Sequence, residues 1–395
     1  MKAAYLLLLM PLGAFAQDDL WDDDDWGDEE QNSTWSGFVE AGIGRRFSAD
    51  PLIDSNTTLE ELRLRLESDW QVGKATIGLK ADAAYDGVES DWKLDARDLS
   101  ISWSMGSTDL RLGRQVQTWG TGDLVFLNDL FPKDFVSFFA GRDDEYLKAP
   151  GNALRLTRYS DVVNLDFVWT PLFEPDVYLT GERFSFFSPL AGQNVAPRPP
   201  LSASKPKESF ANGEFALRLF RTVEGREYAL YAYHGFFKQP NALTPAFAPT
   251  FAPLAALGAS VRQTLGVGLI NAETSYYASL DDRDGSDPLL PNDQLRLLLA
   301  YEWEARPSFT VGLQYYLEWT LDHDALIENS LAPQFEPDEH RHLLTNRLTY
   351  RAGRDKHTWS LFTFYSPSDE DAYLRPTYSY RHDDHWTVAA GANLF

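Results

Sequence analysis

Apolar and polar residues alternate one by one along much of this chain. In Leu62-Arg63-Leu64-Arg65-Leu66-Glu67 the leucines fall on one face of an extended strand and the charges on the other. Ile77, Leu79, Ala81 and Ala83 repeat the pattern against Gly78, Lys80, Asp82 and Ala84. Leu295, Leu297, Leu299, Tyr301 and Trp303 oppose Arg296, Glu302 and Glu304. Seventeen segments read as strands: 34–47, 57–71, 74–86, 92–105, 108–119, 152–160, 162–171, 211–222, 226–237, 254–263, 267–280, 293–305, 308–321, 341–352, 356–366, 372–382 and 385–395. Most have about ten residues or more, a length that suits a strand crossing a bilayer at a tilt. One of them breaks phase: Trp92, Leu94 and Ala96 share a face, then Leu99, Ile101 and Trp103 continue one residue out of step. A β-bulge near Arg97-Asp98 would restore the faces.

Soluble sandwiches alternate too, so the connections decide the class. Tight turns near Gly73-Lys74, Gly106-Ser107, Glu224-Gly225, Arg306-Pro307 and Gly353-Arg354 alternate with long polar or Pro-rich loops. Apolar faces often end in Trp, as at Trp70, Trp103, Trp169 and Trp303. Short turns on one side, long loops on the other and aromatic girdles define an all-β fold, a transmembrane antiparallel β-barrel of about 16–18 strands. Such a barrel needs an even number of strands, and seventeen leaves one short. Phe395 also sits out of phase with Trp386, Val388, Ala390, Ala392 and Leu394, so the closing strand is expected to be missing from an eighteen-stranded barrel.

The N-terminus sets the compartment. Lys2, the apolar run Ala3 to Leu12 and Ala14-Phe15-Ala16 before Gln17 form a signal-peptide pattern over residues 1–16 with an A-x-A cleavage site. The run is too short to span a bilayer as a helix. Residues 18–30, DDLWDDDDWGDEE, lie in an acidic segment, 17–32, expected to stay disordered in the periplasm. Trp21 and Trp26, with Asp23, Asp24 and Asp25, could dock it on a basic periplasmic partner. Residues 33–395 then form the barrel with its extracellular loops.

The chain holds 59 acids against 35 bases, a formal charge of −24, which argues against nucleic acid as a partner. It has no cysteine, so neither disulfides nor thiolate chemistry enter. Neither G-x-S-x-G nor H-E-x-x-H occurs, and no nucleophile stands beside a histidine in a recognisable pattern, so no enzyme activity, catalytic residue or cofactor is expected. His340 and His342 share a face but lack a third ligand, and the acids of residues 281–287 lack the downstream Glu of a calcium loop, so no metal is expected either.

Residues 120–150 are too aromatic for an exposed loop. Phe126, Phe131, Phe135, Phe138 and Phe139 need burial, and the segment is expected to fold into the lumen and narrow it. Trp119, Asn128, Asp129, Phe131, Asp134, Phe138 and Phe139 are its candidate constriction residues. Residues 172–210 read as a Pro-rich outer loop, and 240–254 as an apolar one lying on lipid or capping the mouth. Lumen-phase candidates for selectivity are Arg63, Arg65, Lys80, Asp82, Arg97, Arg111, Arg155, Arg296, Glu302 and Arg347. Charges of both signs can pair as structural ladders or select a permeant charge.

Leu112-Gly113-Arg114-Gln115, then Thr118-Trp119-Gly120, then Asn128-Asp129-Leu130-Phe131-Pro132 with Asp134, resembles a family of outer-membrane barrels of largely uncharacterised function. Some of these are associated with RND-type exporters of lipid-like molecules. Gly113-Arg114-Gln115 and the ending Tyr380-Arg381-His382, Trp386, Gly391 and Asn393 are similar, more weakly, to alginate-export porins. The resemblance implies the outer membrane of a Gram-negative bacterium and a further strand after the Gly391–Phe395 region. It implies as partners outer-membrane lipid, the barrel assembly machinery and a periplasmic or RND-type exporter. Arg114 falls on the outward phase unless a local bulge turns it in. Two functions follow as expectations: a channel or export component moving a solute or amphiphile past loop 120–150, or a plugged barrel anchoring an exporter through its acidic N-terminus.

Overall fold

The computed structural model describes residues 4–14, by their backbone, and 35–395. Eighteen antiparallel strands form one ring in chain order. They are β1 (Ala4–Ala14), β2 (Trp35–Arg46), β3 (Thr57–Val72), β4 (Ala75–Asp86), β5 (Asp91–Met105), β6 (Thr108–Val116), β7 (Pro150–Arg158), β8 (Asn164–Thr170) and β9 (Glu214–Val223). The ring continues through β10 (Arg226–Phe236), β11 (Pro253–Leu265), β12 (Gly268–Ser279), β13 (Gln294–Arg306), β14 (Phe309–Thr320), β15 (His340–Ala352), β16 (His357–Ser366), β17 (Asp371–Arg381) and β18 (Thr387–Leu394). Each pairs with the next, and β1 pairs with both β18 and β2. This is the architecture of an outer-membrane β-barrel.

Strands β2 to β18 match the seventeen segments read from alternation one for one. The reason is the solvent on each side. Leu62, Leu64 and Leu66 are exposed on the outer face, while Arg63 and Arg65 beside them are buried inside. Lipid outside and a polar interior impose period two on every strand. A one-residue slip would reverse both faces, so the register is strongly specified. The bulge falls where the phase break places it: Lys80 pairs with Asp98 and Ala81 with Ala96, leaving Arg97 as the extra residue. Arg97 and Asp98 therefore both serve the interior.

Residues 4–14, read from the sequence as part of a leader, occupy the eighteenth position. Neighbours in an antiparallel ring must alternate in direction, so seventeen strands cannot close it. The backbone of β1 supplies ladder partners to both remaining edges, from Ala4 opposite Leu394 to Ala14 opposite Phe38. Its sequence, AYLLLLMPLGA, is apolar in both phases, unlike the seventeen alternating strands. The acidic segment 17–32, with Trp21, Asp23, Asp24, Asp25 and Trp26, lies outside the described residues.

The barrel's two ends differ. Turns after β3, β5, β9, β11 and β13 have two residues, whereas 117–149 and 171–213 are the longest connections. The short turns mark the periplasmic end of such a barrel. Aromatic pairs ring that end, including Trp35 with Trp70 at 5.4 Å, Tyr301 with Trp303 at 5.4 Å and Tyr350 with Trp359 at 5.6 Å between centroids. A second belt near the long loops includes Tyr85 with Trp92 at 5.4 Å and Trp319 with His340 at 5.1 Å. His342 stacks on Tyr315, so both histidines of that strand take part in ring stacks. The strand running out of β18 ends at the long-loop side, where Phe395 stacks on Tyr373 at 4.8 Å.

Candidate functional site

The residues from Gly113 to Asp134 form one piece of machinery, built outward from the end of β6. Gly113 has φ 128°, a region side chains avoid, and a Cβ there would meet the Leu99 carbonyl oxygen at 2.2 Å. This backbone turn corrects the outward phase expected for Arg114. Its guanidinium donates to the Ala96 carbonyl at 2.8 Å and to Glu174 at 3.2 Å, and it lines an interior cavity with Asp95. Gln115 is buried and donates to the Ala153 carbonyl at 3.1 Å. Thr118 donates to Asp129 at 2.8 Å, and the Trp119 indole donates to Asp166 at 3.2 Å while packing edge-on against Phe131 at 4.9 Å. Asp129 also accepts from Lys133 at 3.0 Å. Asp134 caps the short helix α1 (Phe135–Ala140) by accepting from the Ser137 N–H at 2.7 Å.

Residues 117–149 cross the interior, held by strands from nearly the whole ring. From β12, buried Glu273 accepts from the Thr121 and Gly122 N–H groups, the Thr121 hydroxyl at 2.7 Å and Asn128 at 2.9 Å. From β14, Gln314 both donates to and accepts from the Asp123 backbone at 2.7 Å. From β15 and β17, Arg347 holds Asp123 at 2.5 Å and Arg375 holds Asp144. From β18, Asn393 donates to the Phe139 carbonyl at 2.8 Å. Phe138 is buried against Phe139 and Tyr373, and Phe139 also meets Phe184. The segment reaches so close to β11 that a Cβ on Gly258 would lie 1.8 Å from the Asn128 side-chain oxygen. Only a glycine leaves room there.

The densest node is a four-residue turn, Asp144–Leu147, against β3, β4 and β5. Arg63 and Arg65 both bind Asp82, at 2.8 and 2.6 Å. Their guanidinium carbons lie 4.2 and 5.1 Å from the Tyr146 ring centre, and that of Arg97 lies 4.8 Å from it. Stacked cations of this kind attract the ring face. The Glu145 carboxylate accepts twice from Arg65, at 2.8 and 2.9 Å, and faces Lys80 at 3.4 Å and Arg97 at 3.7 Å. Two cavities meet here. One, of about 750 Å³, is lined by Lys80, Arg111, Lys148 and Arg262 toward the short turns. The other, of about 640 Å³, is lined by Lys93, Asp95 and Arg183 toward the long loops. Arg97 lines both.

Burial alone would push the Glu145 carboxyl up, but the charges of Arg65 and Lys80, the Arg65 hydrogen bond and Arg97 outweigh it and hold it below its ordinary value. A carboxyl depressed in the docked turn and ordinary in a free one favours docking at neutral pH. That contribution is complete above the ordinary carboxylate range and is lost as pH falls through the depressed value. Glu145 therefore loosens the turn only below the ordinary carboxylate range. Cleavage beside Leu147 by pepsin, which acts in acid, is expected to rise in that window, and Glu145→Gln is expected to flatten the rise.

The remaining predicted lumen residues are spread around the wall and do not converge. Arg111 pairs with Asp98, and Arg155 pairs with Asp166 at 2.5 Å. Arg296 lies 3.3 Å from Glu318 and over the Tyr277 ring at 3.9 Å. Glu302 keeps the interior phase of β13 without an ion pair among the described residues. Sequence reading missed Glu145, Tyr146, Asp123, Glu273 and Gln314. Interior phase was the one signal available for Glu273 and Gln314, and many wall positions share it.

The loop 171–213 is a second correction. Read as a Pro-rich outer loop, it sends a stretch inward beside the first segment. Val177 donates to the Lys133 carbonyl at 2.8 Å, and Asp176 accepts from the Lys133 N–H at 2.7 Å. Arg183 is buried against Asp86 and Glu89, from which it draws enough charge to raise its own pKa despite burial. In the apolar loop 240–254, buried Phe251 packs on Phe173 of loop 171–213 at 4.9 Å.

No protein-family model and no curated protein matches the chain. Solved structures similar to it include a loop L8 deletion mutant of OmpT, an outer membrane protein of Vibrio cholerae, at 11% identity and TM-score 0.45, covering 100% of this chain and 97% of that one. The outer membrane channel DcaP of Acinetobacter baumannii matches at 8% identity and TM-score 0.46, with 100% and 96% covered. An anion-selective porin from Comamonas acidovorans matches at 10% identity and TM-score 0.42, with 100% and 99% covered.

Proposed function

We propose that the chain is an outer-membrane channel whose lumen is constricted by residues 117–149, passing small polar solutes rather than catalysing a reaction. The observation that carries this reading is the meeting of two water-sized-to-solute-sized cavities, one toward each end of the barrel, at Arg97 and the Asp144–Leu147 turn. A chamber on each side of a charged partition is a pathway with a gate, not a solid core. Charged walls beside a narrow passage select by sign as well as size. The apolar outer face, with Leu94 84% exposed, supports residence in a bilayer, and its two aromatic belts support the same. The test is ion current through the purified protein in planar bilayers. A current that falls when the segment is intact and rises when it is excised supports the channel. An inserted barrel silent in both forms overturns it and favours an anchoring role for residues 17–32 instead.

A further inference from the structure

We infer that Arg65, Lys80 and Arg97 form a carboxylate-binding site for an entering solute, and that Glu145 occupies this site as an internal substitute. The inference rests on the channel reading and names the chemistry that would open it. The geometry is that of a ligand on a receptor. The carboxylate comes from the crossing segment, and its receptors come from β3, β4 and β5. Arg65 is 1% exposed and Arg97 4% exposed, whereas the Glu145 side chain is 42% exposed to the cavity. An incoming carboxylate would therefore meet the substitute first and could replace it without unpacking the wall.

Charge at the wall supports the same assignment. Arg63 binds Glu61 and Asp82, Arg65 binds Asp82, and Lys80 faces Glu67, whereas the carboxylate that meets Arg97 is Glu145. Without it Arg97 has no carboxylate partner among the described residues, and a solute carboxylate can meet it. Lys148 and Arg262 line the same 750 Å³ cavity and have no carboxylate partner among the described residues. A second anionic group on the solute would find them there. The class that fits is a small dicarboxylate.

Displacement needs no bond to be made or broken. A tethered carboxylate competes at an effective concentration of about millimolar or above, so an external one must be present at that level. When it is, the Glu145 end of the Asp144–Leu147 turn is released while Arg375 still holds Asp144, and the two cavities join beside Arg97.

The experiment is planar-bilayer current carried by potassium chloride through the full chain, with millimolar glutarate or 1,5-pentanediol added. Glutarate is expected to raise the current several-fold, by about the weight of one or two ion pairs, and the diol to leave it unchanged. Glu145→Gln is expected to conduct at the raised level already and to gain nothing from glutarate. Lys148→Gln, which removes a partner of the second carboxylate alone, is expected to need about threefold more glutarate than the parent. Equal responses to glutarate and diol, or an undiminished glutarate response in Glu145→Gln, would overturn the site. Should Glu145→Gln fail to insert, the glutarate and diol responses of the parent decide alone. An excised barrel that conducts while the parent ignores glutarate removes this site and leaves the channel standing; silence in both removes the channel.

Discussion

Excision of residues 120–148, with a short Gly-Ser link in their place, is expected to raise single-channel conductance by about tenfold, because a ring of eighteen strands relieved of its longest interior segment encloses an aqueous lumen. Val116 and Pro150 are already paired across the β6–β7 ladder, so the ends to be joined lie side by side. The anchors left behind are Arg65, Arg97, Arg347, Arg375, Glu273 and Gln314. Unpaired in a dry core they would cost several kcal/mol each. In an opened lumen water replaces the lost partners, and the ladder that holds the ring is untouched, so the barrel is expected to fold. The segment carries six acids and three bases. Its removal therefore also shifts the lumen toward positive charge, and the reversal potential in a salt gradient is expected to move toward anion preference. A folded, inserted barrel whose current does not change on excision would show that the segment does not obstruct the pathway.

How much of this was legible in the sequence depends on the distance over which the physics acts. Every strand from β2 to β18 was legible, since lipid and lumen write alternation into each segment locally. The bulge at Arg97 was legible for the same reason, as a slip of one residue between Ala96 and Leu99. The phenylalanines of the 117–149 segment announced a need for burial, and Phe131 and Phe138 are buried. The partners of the segment were not legible. Asp123 and Arg347 are 224 residues apart, and Asp144 and Arg375 are 231 apart. Nothing in alternation says which interior charge meets which. Arg114 was misplaced because phase counting assumes ordinary strand dihedrals, which Gly113 does not adopt. The inward stretch of loop 171–213 was hidden by its neighbours. The prolines at 197, 199, 200 and 206 dominate its composition, while Asp176 and Arg183 do the bonding.

The family-like residues from Gly113 to Asp134 acquire a physical meaning from this arrangement. None of them faces the node at Glu145. Gly113 turns the chain, Thr118 and Lys133 share Asp129, Trp119 reaches Asp166, and Asp134 starts α1. They fix where the segment leaves the wall. The turn Asp144–Leu147, where the two cavities meet, lies beyond them in the chain. The anchor and this turn are therefore separate in the chain, and a change in one need not disturb the other.

The sharpest test of the anchor is Glu273→Ala. The Glu273 carboxylate is buried and takes four donors from the segment: two backbone N–H groups, one hydroxyl and the Asn128 amide. Truncation leaves those donors without partners in a site closed on one side by β11, where Gly258 already touches Asn128. Each buried donor left unpaired costs about 1–3 kcal/mol, and water entering the gap returns part of that. Docking of residues 120–130 is expected to weaken by about 3–5 kcal/mol in total, while the ring itself is unaffected. Glu273→Gln keeps the acceptor oxygen and is expected to cost about half as much. Limited trypsinolysis of the folded barrel reads this directly, because Lys133 and Arg142 are buried in the docked segment. The parent is expected to resist at both sites, Glu273→Ala to be cut at Lys133 first, and Glu273→Gln to fall between them. A Glu273→Ala barrel as resistant as the parent would mean that Gln314, Arg347 and Arg375 hold the segment without it, and that the weight of the anchor lies on the far wall.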